Sequence, residues 1–383
     1  MRLTFISIIL FFSFFTAFSQ NPWIQPIVQS VKADTIFTTI ADLQAMDRVT
    51  ASNSPVPHDY LKQKLEAYGM DTVFYHYYKP NTPPNVVGIR YGTQNPAEYW
   101  LMGGHYDAVL AGAGADDNAS GTAAVLEMGR VLQDYEIKKS LILVLFSGEE
   151  TGLWGSQAFA DSAVNVINMA GMINLDMIAY SHNLEDSSVS ACWKYFAGDL
   201  MQDFLTGVSL YVPGLKVDQD STSGIINASD HASFWNHMIP ALFLIENSDR
   251  WGGSFNPWYH QLSDTTGKGA NSPWLAENIT RAAITALLIN IEPFSTISVP
   301  DEDLTASSMT FFPNPATTHI TLQLPFNSEP VNITLFDRQG RMVINENDLR
   351  HGAQLDISFF PKGVYVVQLV SGKQAATGKL VKL

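Results

Sequence analysis

Leu141-Ile142-Leu143-Val144-Leu145-Phe146-Ser147 runs for seven residues without a charge, and Gly148-Glu149-Glu150 follows at once. An unbroken apolar run of strand length is the pattern of a strand covered on both faces, as in parallel sheets. Working outward from it, residues 85–91, 99–104, 172–175 and 240–245 form further apolar runs of strand length. Between them, helical spacing of apolar residues predicts helices over 57–69, 119–135 and 151–162, and a long one over 274–291. Alternating strands and helices of this kind imply an α/β domain with a mostly parallel central sheet and helices on both faces.

The chain has 383 residues, 46% of them hydrophobic and 15% charged, which suits a large buried core. Twenty-two Lys+Arg face 37 Asp+Glu, for a formal charge of −15. That balance excludes a nucleic-acid partner, because phosphate binding needs a basic patch. Arg2, the apolar run 5–18 and the small residues Ala17 and Ser19 read as a secretory signal peptide over 1–19. No later apolar stretch has spanning length, so no stable membrane span is expected. Cys192 is the lone cysteine, which rules out an intramolecular disulfide. The α/β domain is expected over 20–294. Residues 295–308, rich in Ser, Thr, Pro and acids, read as a linker. Short alternating stretches over 309–383, separated by turn signals such as Pro361-Lys362-Gly363, predict a small C-terminal β-sandwich.

Acids and histidines gather at the predicted strand ends. His105 and Asp107 follow one strand, Glu149 and Glu150 another, and Asp176 closes a third. Asp116 lies in a Gly/Ala/Asp/Asn loop before a helix, and His260 in the loop after 240–245. In open α/β sheets the ligand site lies at the carboxyl ends of the strands, so these groups should converge. Singly, a His-x-Asp or a Glu-Glu pair is more often a solvated surface feature than a site. Together they supply two imidazoles and at least three carboxylates, a donor set suited to a pair of divalent metals, with zinc foremost. One zinc can take His105, Asp176 and one oxygen of Asp116; the other can take His260, Glu150 and the second oxygen of Asp116. A bridging water or hydroxide completes about four ligands on each. Glu149 is then free to act as general base. Asp107 is expected to orient His105, and Asp264 to orient His260.

These segments carry a resemblance. GGHYDAV (103–109), GADDNASGTAAVLE (114–127), FSGEETGLWGS (146–156), INLDM (173–177), SDHASFW (229–235) with PALFLIE (240–246), and WYHQLSDT (258–265) stand in the order typical of the co-catalytic di-zinc aminopeptidases. The chain resembles that family, which is typified by bacterial leucyl aminopeptidase and related to glutaminyl cyclase, over about residues 36–290. The resemblance implies the zinc exopeptidase fold, two zinc ions per chain and peptide substrates with a free N-terminus. It implies Asp116 as bridging ligand, a cis peptide bond after it, and Glu149 as base. His105, Glu150, Asp176 and His260 would be the other ligands. Ser229 and Asp230 would line the site without ligating, and His231 reads equally well as a packed structural histidine. A glutaminyl-peptide cyclotransferase of the same fold and a non-catalytic secreted adhesion protein are the alternatives. FFPNPATTHITLQL (311–324), LFDRQGRMV (335–343) and the segment 361–383 resemble the C-terminal sorting domain of the type IX secretion system. That likeness implies a partner in the secretion machinery and export through the periplasm and outer membrane, to the cell surface or the medium.

Overall fold

The structure, a computed structural model, describes residues 21–110, 112–183, 188–221, 226–246, 254–294, 310–324, 330–337, 342–371 and 374–383. The expected signal peptide and linker lie outside the described residues. The chain divides into two compact units, one running from Asn21 to Thr296 and one holding the C-terminal strands. In the larger unit, α1 (Ile24–Gln29), α2 (Ala33–Gln44) and α3 (Val56–Ala67) precede β1 (Thr72–His76), β2 (Asn85–Arg90) and β3 (Asn95–His105). An irregular turn, Ala115–Ser120, leads into α4 (Gly121–Leu132), then β4 (Glu136–Ile137), β5 (Lys139–Phe146), α5 (Trp154–Ala163) and β6 (Asn168–Leu175). Next come β7 (Ser188–Cys192), α6 (Gly198–Tyr211), β8 (Lys216–Asp220), α7 (His231–Trp235), β9 (Ala241–Ile245) and α8 (Pro273–Ile291). Finally β10 (Pro293–Phe294) pairs back to β4.

Eight strands form the central sheet in the order β1-β2-β5-β3-β6-β9-β7-β8. Its centre, β5-β3-β6-β9, is parallel, while β2 and β7 join it antiparallel. The run that predicts the buried strand is β5. Leu141, Leu143 and Leu145 enter a core shared with α1, α2, α3, α4, α6 and α8. Ile142, Val144 and Phe146 enter a second core with Phe159 of α5 and Phe234 of α7 on the opposite face. Alternate residues thus serve opposite cores, which is why the run shows no polar alternation. Each such side chain contributes about 1.5–3 kcal/mol by leaving water.

α4 begins directly on the sheet because glycine lets it. A Cβ at Gly121 would lie 2.2 Å from the Leu175 carbonyl oxygen, and one at Gly104 would lie 2.7 Å from the same atom. That close approach hangs the turn before α4 over the ends of β3 and β6.

In the C-terminal unit, β11 (Thr310–Phe312), β12 (His319–Gln323), β13 (Val331–Phe336), β14 (Met342–Leu349), β15 (Gln354–Asp356), β16 (Gly363–Ser371) and β17 (Gln374–Lys382) form two antiparallel sheets. Their orders are β11-β12-β15 and β14-β13-β16-β17. Ile320 and Leu322 from one sheet and Ile333, Leu335, Val367 and Leu369 from the other share one apolar core, which makes a β-sandwich.

Because each unit closes its own core, a chain ending at residue 294 is expected to keep its helical circular dichroism and unfold in one cooperative thermal transition. A truncated protein that loses cooperativity would contradict that division.

Candidate metal centre

His105 is the last residue of β3, Asp176 directly follows β6, and Glu149 and Glu150 stand just beyond β5. All lie at the carboxyl ends of parallel strands. The turn Ala115–Ser120 completes the floor, and its sequence explains how. Asn118 donates to the Leu175 carbonyl (2.9 Å) and accepts from the amides of Gly121 (2.9 Å) and Met177 (3.2 Å). Ser120 accepts from the Ile178 amide (3.1 Å), and Thr122 donates to the His105 carbonyl (2.7 Å). Three polar side chains therefore tie the turn to the segments bearing His105 and Asp176. Arg48 fixes its approach from below. Its buried guanidinium donates to the carbonyls of Leu43, Tyr106, Ala113 and Gly114 at 2.7–3.0 Å.

This turn presents Asp117 to the site, not Asp116. Asp117 Oδ1 lies 3.5 Å from His105 Nε2, and its Oδ2 lies 3.2 Å from His260 Nε2. Asp116 is turned inward, where it accepts from the Ala179 amide (2.8 Å) and the Asn256 side chain (2.7 Å). The expectation for Asp116 is therefore corrected by one residue. Adjacent side chains in this non-helical turn point to opposite sides, and two aspartates in a row give no means of choosing between them. The expected cis peptide bond likewise stands at Asp117–Asn118.

Around Asp117, His105 Nε2 is 3.4 Å from Asp176 Oδ1, and His260 Nε2 is 3.1 Å from Glu150 Oε2. Glu149 presents an oxygen within 4.8 Å of donor atoms on His105 and Asp176. The Asp107 backbone carbonyl bonds His105 Nδ1 (3.1 Å), with its carboxylate Oδ1 3.6 Å from the same nitrogen, and that carboxylate has a second task. It accepts from Thr50 Oγ1 (2.8 Å) and from the amides of Glu149 and Glu150 (both 3.3 Å), so it fixes the acidic pair. Asp264 does not hold the His260 ring. It accepts instead from the amides of Asp116 (3.0 Å) and Asp117 (3.0 Å), because the loop from β9 to α8 lays it under the turn. Ser229 accepts from the Asn174 amide group (2.8 Å), and Asp230 is fully buried with neither carboxylate oxygen hydrogen-bonded.

The electrostatics of this cluster suit a bound cation. Burial, then Glu150, pushes Asp117 up to about 7. Burial raises Glu149 well above the usual carboxylate range, with Asp176, Asp230 and Glu150 adding to it against His105. Burial pushes Asp230 up to about 7 as well. His260 shifts the other way: burial opposes its charge, but Asp117 and Glu150 outweigh it and raise the ring to about 9. Asp117 Oδ2, Glu150 Oε1 and Asp176 Oδ1 are buried without a hydrogen bond. Orphaned acceptors beside two imidazoles are what divalent metal ions resolve. His105–Glu149–Asp176 and His105–Asp117–Glu150 each gather donor atoms within 4.8 Å of one another. The donors are nitrogen and oxygen only, a set that fits zinc.

Fold and site together define an α/β architecture with a candidate metal centre at the carboxyl ends of its central strands. The model of peptidase family M28 matches residues 85–285, more than half of the sequence, and the chain belongs to that family. Residues 310–383 match a secretion system C-terminal sorting domain. Aminopeptidase YwaD of Bacillus subtilis is 31% identical over 201 residues, covering 48% of this chain and 40% of its own. The LapA aminopeptidase of Legionella pneumophila shares the fold with a TM-score of 0.64 at 22% identity, over 71% of this chain and 75% of that one. A glutaminyl cyclase of Bacteroides thetaiotaomicron does so with a TM-score of 0.54 at 20% identity, over 68% and 97%. The chain spans less than half the length of the curated relatives it matches.

His231 resolves as a packed histidine. Its ring stacks on Phe243 (centroids 4.5 Å apart), meets Trp235 edge-on (4.4 Å), and its Nε2 bonds the Ile226 carbonyl (2.7 Å). Burial lowers it from 6.5 to about 4. The unfolded chain therefore binds this proton first, and stability falls as pH drops from about 6.5 toward 4. The loss from this ring is about 3 kcal/mol. His231→Phe is expected to lose about 3 kcal/mol less than wild type between pH 7.5 and 4 in urea unfolding. Equal acid sensitivity would contradict this account of the ring.

Proposed function

We propose that this chain is an exported zinc-dependent aminopeptidase that hydrolyses the N-terminal peptide bond of peptides, with two zinc ions held by His105, Asp117, Glu150, Asp176 and His260. The observation that carries the reading is the Asp117 carboxylate, one oxygen toward each histidine, the arrangement a bridging ligand requires. When bound, zinc polarises the scissile carbonyl and lowers the pKa of water from about 15.7 to about 7. Glu149 takes a proton from the attacking water as its oxygen bonds to the carbonyl carbon. It returns that proton to the leaving amine nitrogen as the C–N bond breaks.

Met177, Phe243, Ile245, Phe255 and Tyr259 line the pocket beside these residues, which supports an apolar side chain at the substrate's first position. The acidic rim suits that residue's free ammonium. The C-terminal sandwich is proposed to engage the secretion machinery, carrying the enzyme through the periplasm and outer membrane. Membership of a zinc peptidase family and the match to a sorting domain support this reading.

Glu149→Gln is expected to keep its zinc by elemental analysis while losing about 10²–10⁴-fold in turnover of leucyl-nitroanilide. Asp117→Asn is expected to lose zinc and turnover together. Full activity in Glu149→Gln would refute its role as base. Cyclisation of a glutaminyl peptide without nitroanilide hydrolysis would favour the cyclotransferase, and neither activity in the zinc-loaded protein would favour a binding protein.

A further inference from the structure

A groove of about 660 Å³ is lined by residues 77–82 and Pro84 together with Asn53, Pro55 and His58. β2 runs antiparallel to β5, with Val86 opposite Leu145, so the residues leading into β2 lie at the end of the sheet that carries Glu149 and Glu150. The connection is direct. Tyr78 Oη bonds Ser147 Oγ (3.3 Å), and a Cβ at Gly148 would lie 2.6 Å from that same hydroxyl. Thr50, three residues before the lining residue Asn53, holds the Asp107 carboxylate that fixes Glu149 and Glu150. One end of the groove therefore abuts the turn bearing the proposed base.

The apolar pocket draws on β9 and the residues after β6, while the groove adjoins β2. The sheet order β2-β5-β3-β6-β9 sets these on opposite sides of the β5 turn. A peptide with its first side chain in the pocket and its scissile bond at Glu149 must send its remaining residues toward β2. The groove also carries a positive charge. Lys79 is exposed, with Nζ 3.6 Å from the centroid of the Trp154 ring, and the Trp154 amide bonds the Gly148 carbonyl (3.0 Å). In a chain of net charge −15, a cation placed there is a specific invitation to a carboxylate.

We propose that this groove takes the leaving part of the peptide substrate, and that Lys79 selects peptides carrying a carboxylate at their second or third residue. That group is either an acidic side chain or the free C-terminus of a short peptide. The inference rests on the aminopeptidase reading, and the experiment separates the two.

The full zinc-loaded chain is first assayed on leucyl-nitroanilide, which tests that reading alone; no hydrolysis overturns both. Leu-Ala-Ala as free acid and as amide is then compared by kcat/KM in wild type, Lys79→Ala and Lys79→Glu, each normalised to its own nitroanilide rate. Wild type is expected to favour the acid about two- to fivefold, as one exposed charge pair permits. The ratio should collapse toward one in 1 M salt, where the Debye length is about 3 Å. Lys79→Ala should bring it near one and Lys79→Glu below one. A wild-type ratio of one, or the same ratio in all three proteins, overturns the groove proposal and leaves the aminopeptidase reading standing.

Discussion

Asp117 faces a histidine with each of its oxygens, and nearly everything at the sheet's carboxyl end is arranged around keeping it there. It is a buried carboxylate among buried carboxylates, with Glu149, Glu150, Asp176 and Asp230 nearby. Without a cation such a cluster is unfavourable by desolvation and mutual repulsion alike, and it holds protons that a free carboxylate would release. Zinc binding would therefore displace protons, which ties affinity to pH as in other metal centres.

The scaffold contributes rigidity more than charge. Asn118, Ser120 and Thr122 fasten the turn to β3 and to the residues after β6. Arg48 binds carbonyls on the approach to the turn, and Asp264 binds two of its amides. Arg48 and Asp264 thus take the chain from its two complementary sides, acceptors and donors. Asn85, fully buried, performs the same service for the acidic turn. Its side chain accepts from the Ser147 amide (2.9 Å) and donates to the Gly155 carbonyl (2.9 Å), closing the segment that carries Glu149 and Glu150. Such second-layer contacts hold first-layer groups in place before any ligand arrives.

What could be read beforehand follows from this physics. The central strands were legible because a strand buried on both faces must be apolar throughout, as β5 and β9 are. The edge strands β1 and β8 were not, since neither has a fully buried residue and so neither needs an apolar run. Five of the six residues gathered round the centre stand in the motifs at strand ends and in the His260 loop. The choice between Asp116 and Asp117 required the turn's dihedral angles, φ −105° and ψ 90° at Asp117, which no residue pattern specifies. Arg48 and Asn85 reach Tyr106 and Ser147 across 58 and 62 positions of sequence, and nothing local announced them. Asn256 stands beside the His260 motif, but its partner Asp116 is visible only in three dimensions.

The central claim is that two metal ions share Asp117. Anomalous diffraction at the zinc edge from crystals of the zinc-loaded protein tests it most directly. The account predicts two peaks about 3.5–4 Å apart with the Asp117 carboxylate between them, one next to His105 and Asp176, the other next to His260 and Glu150. A single peak, or two peaks bridged by Asp116, would contradict it.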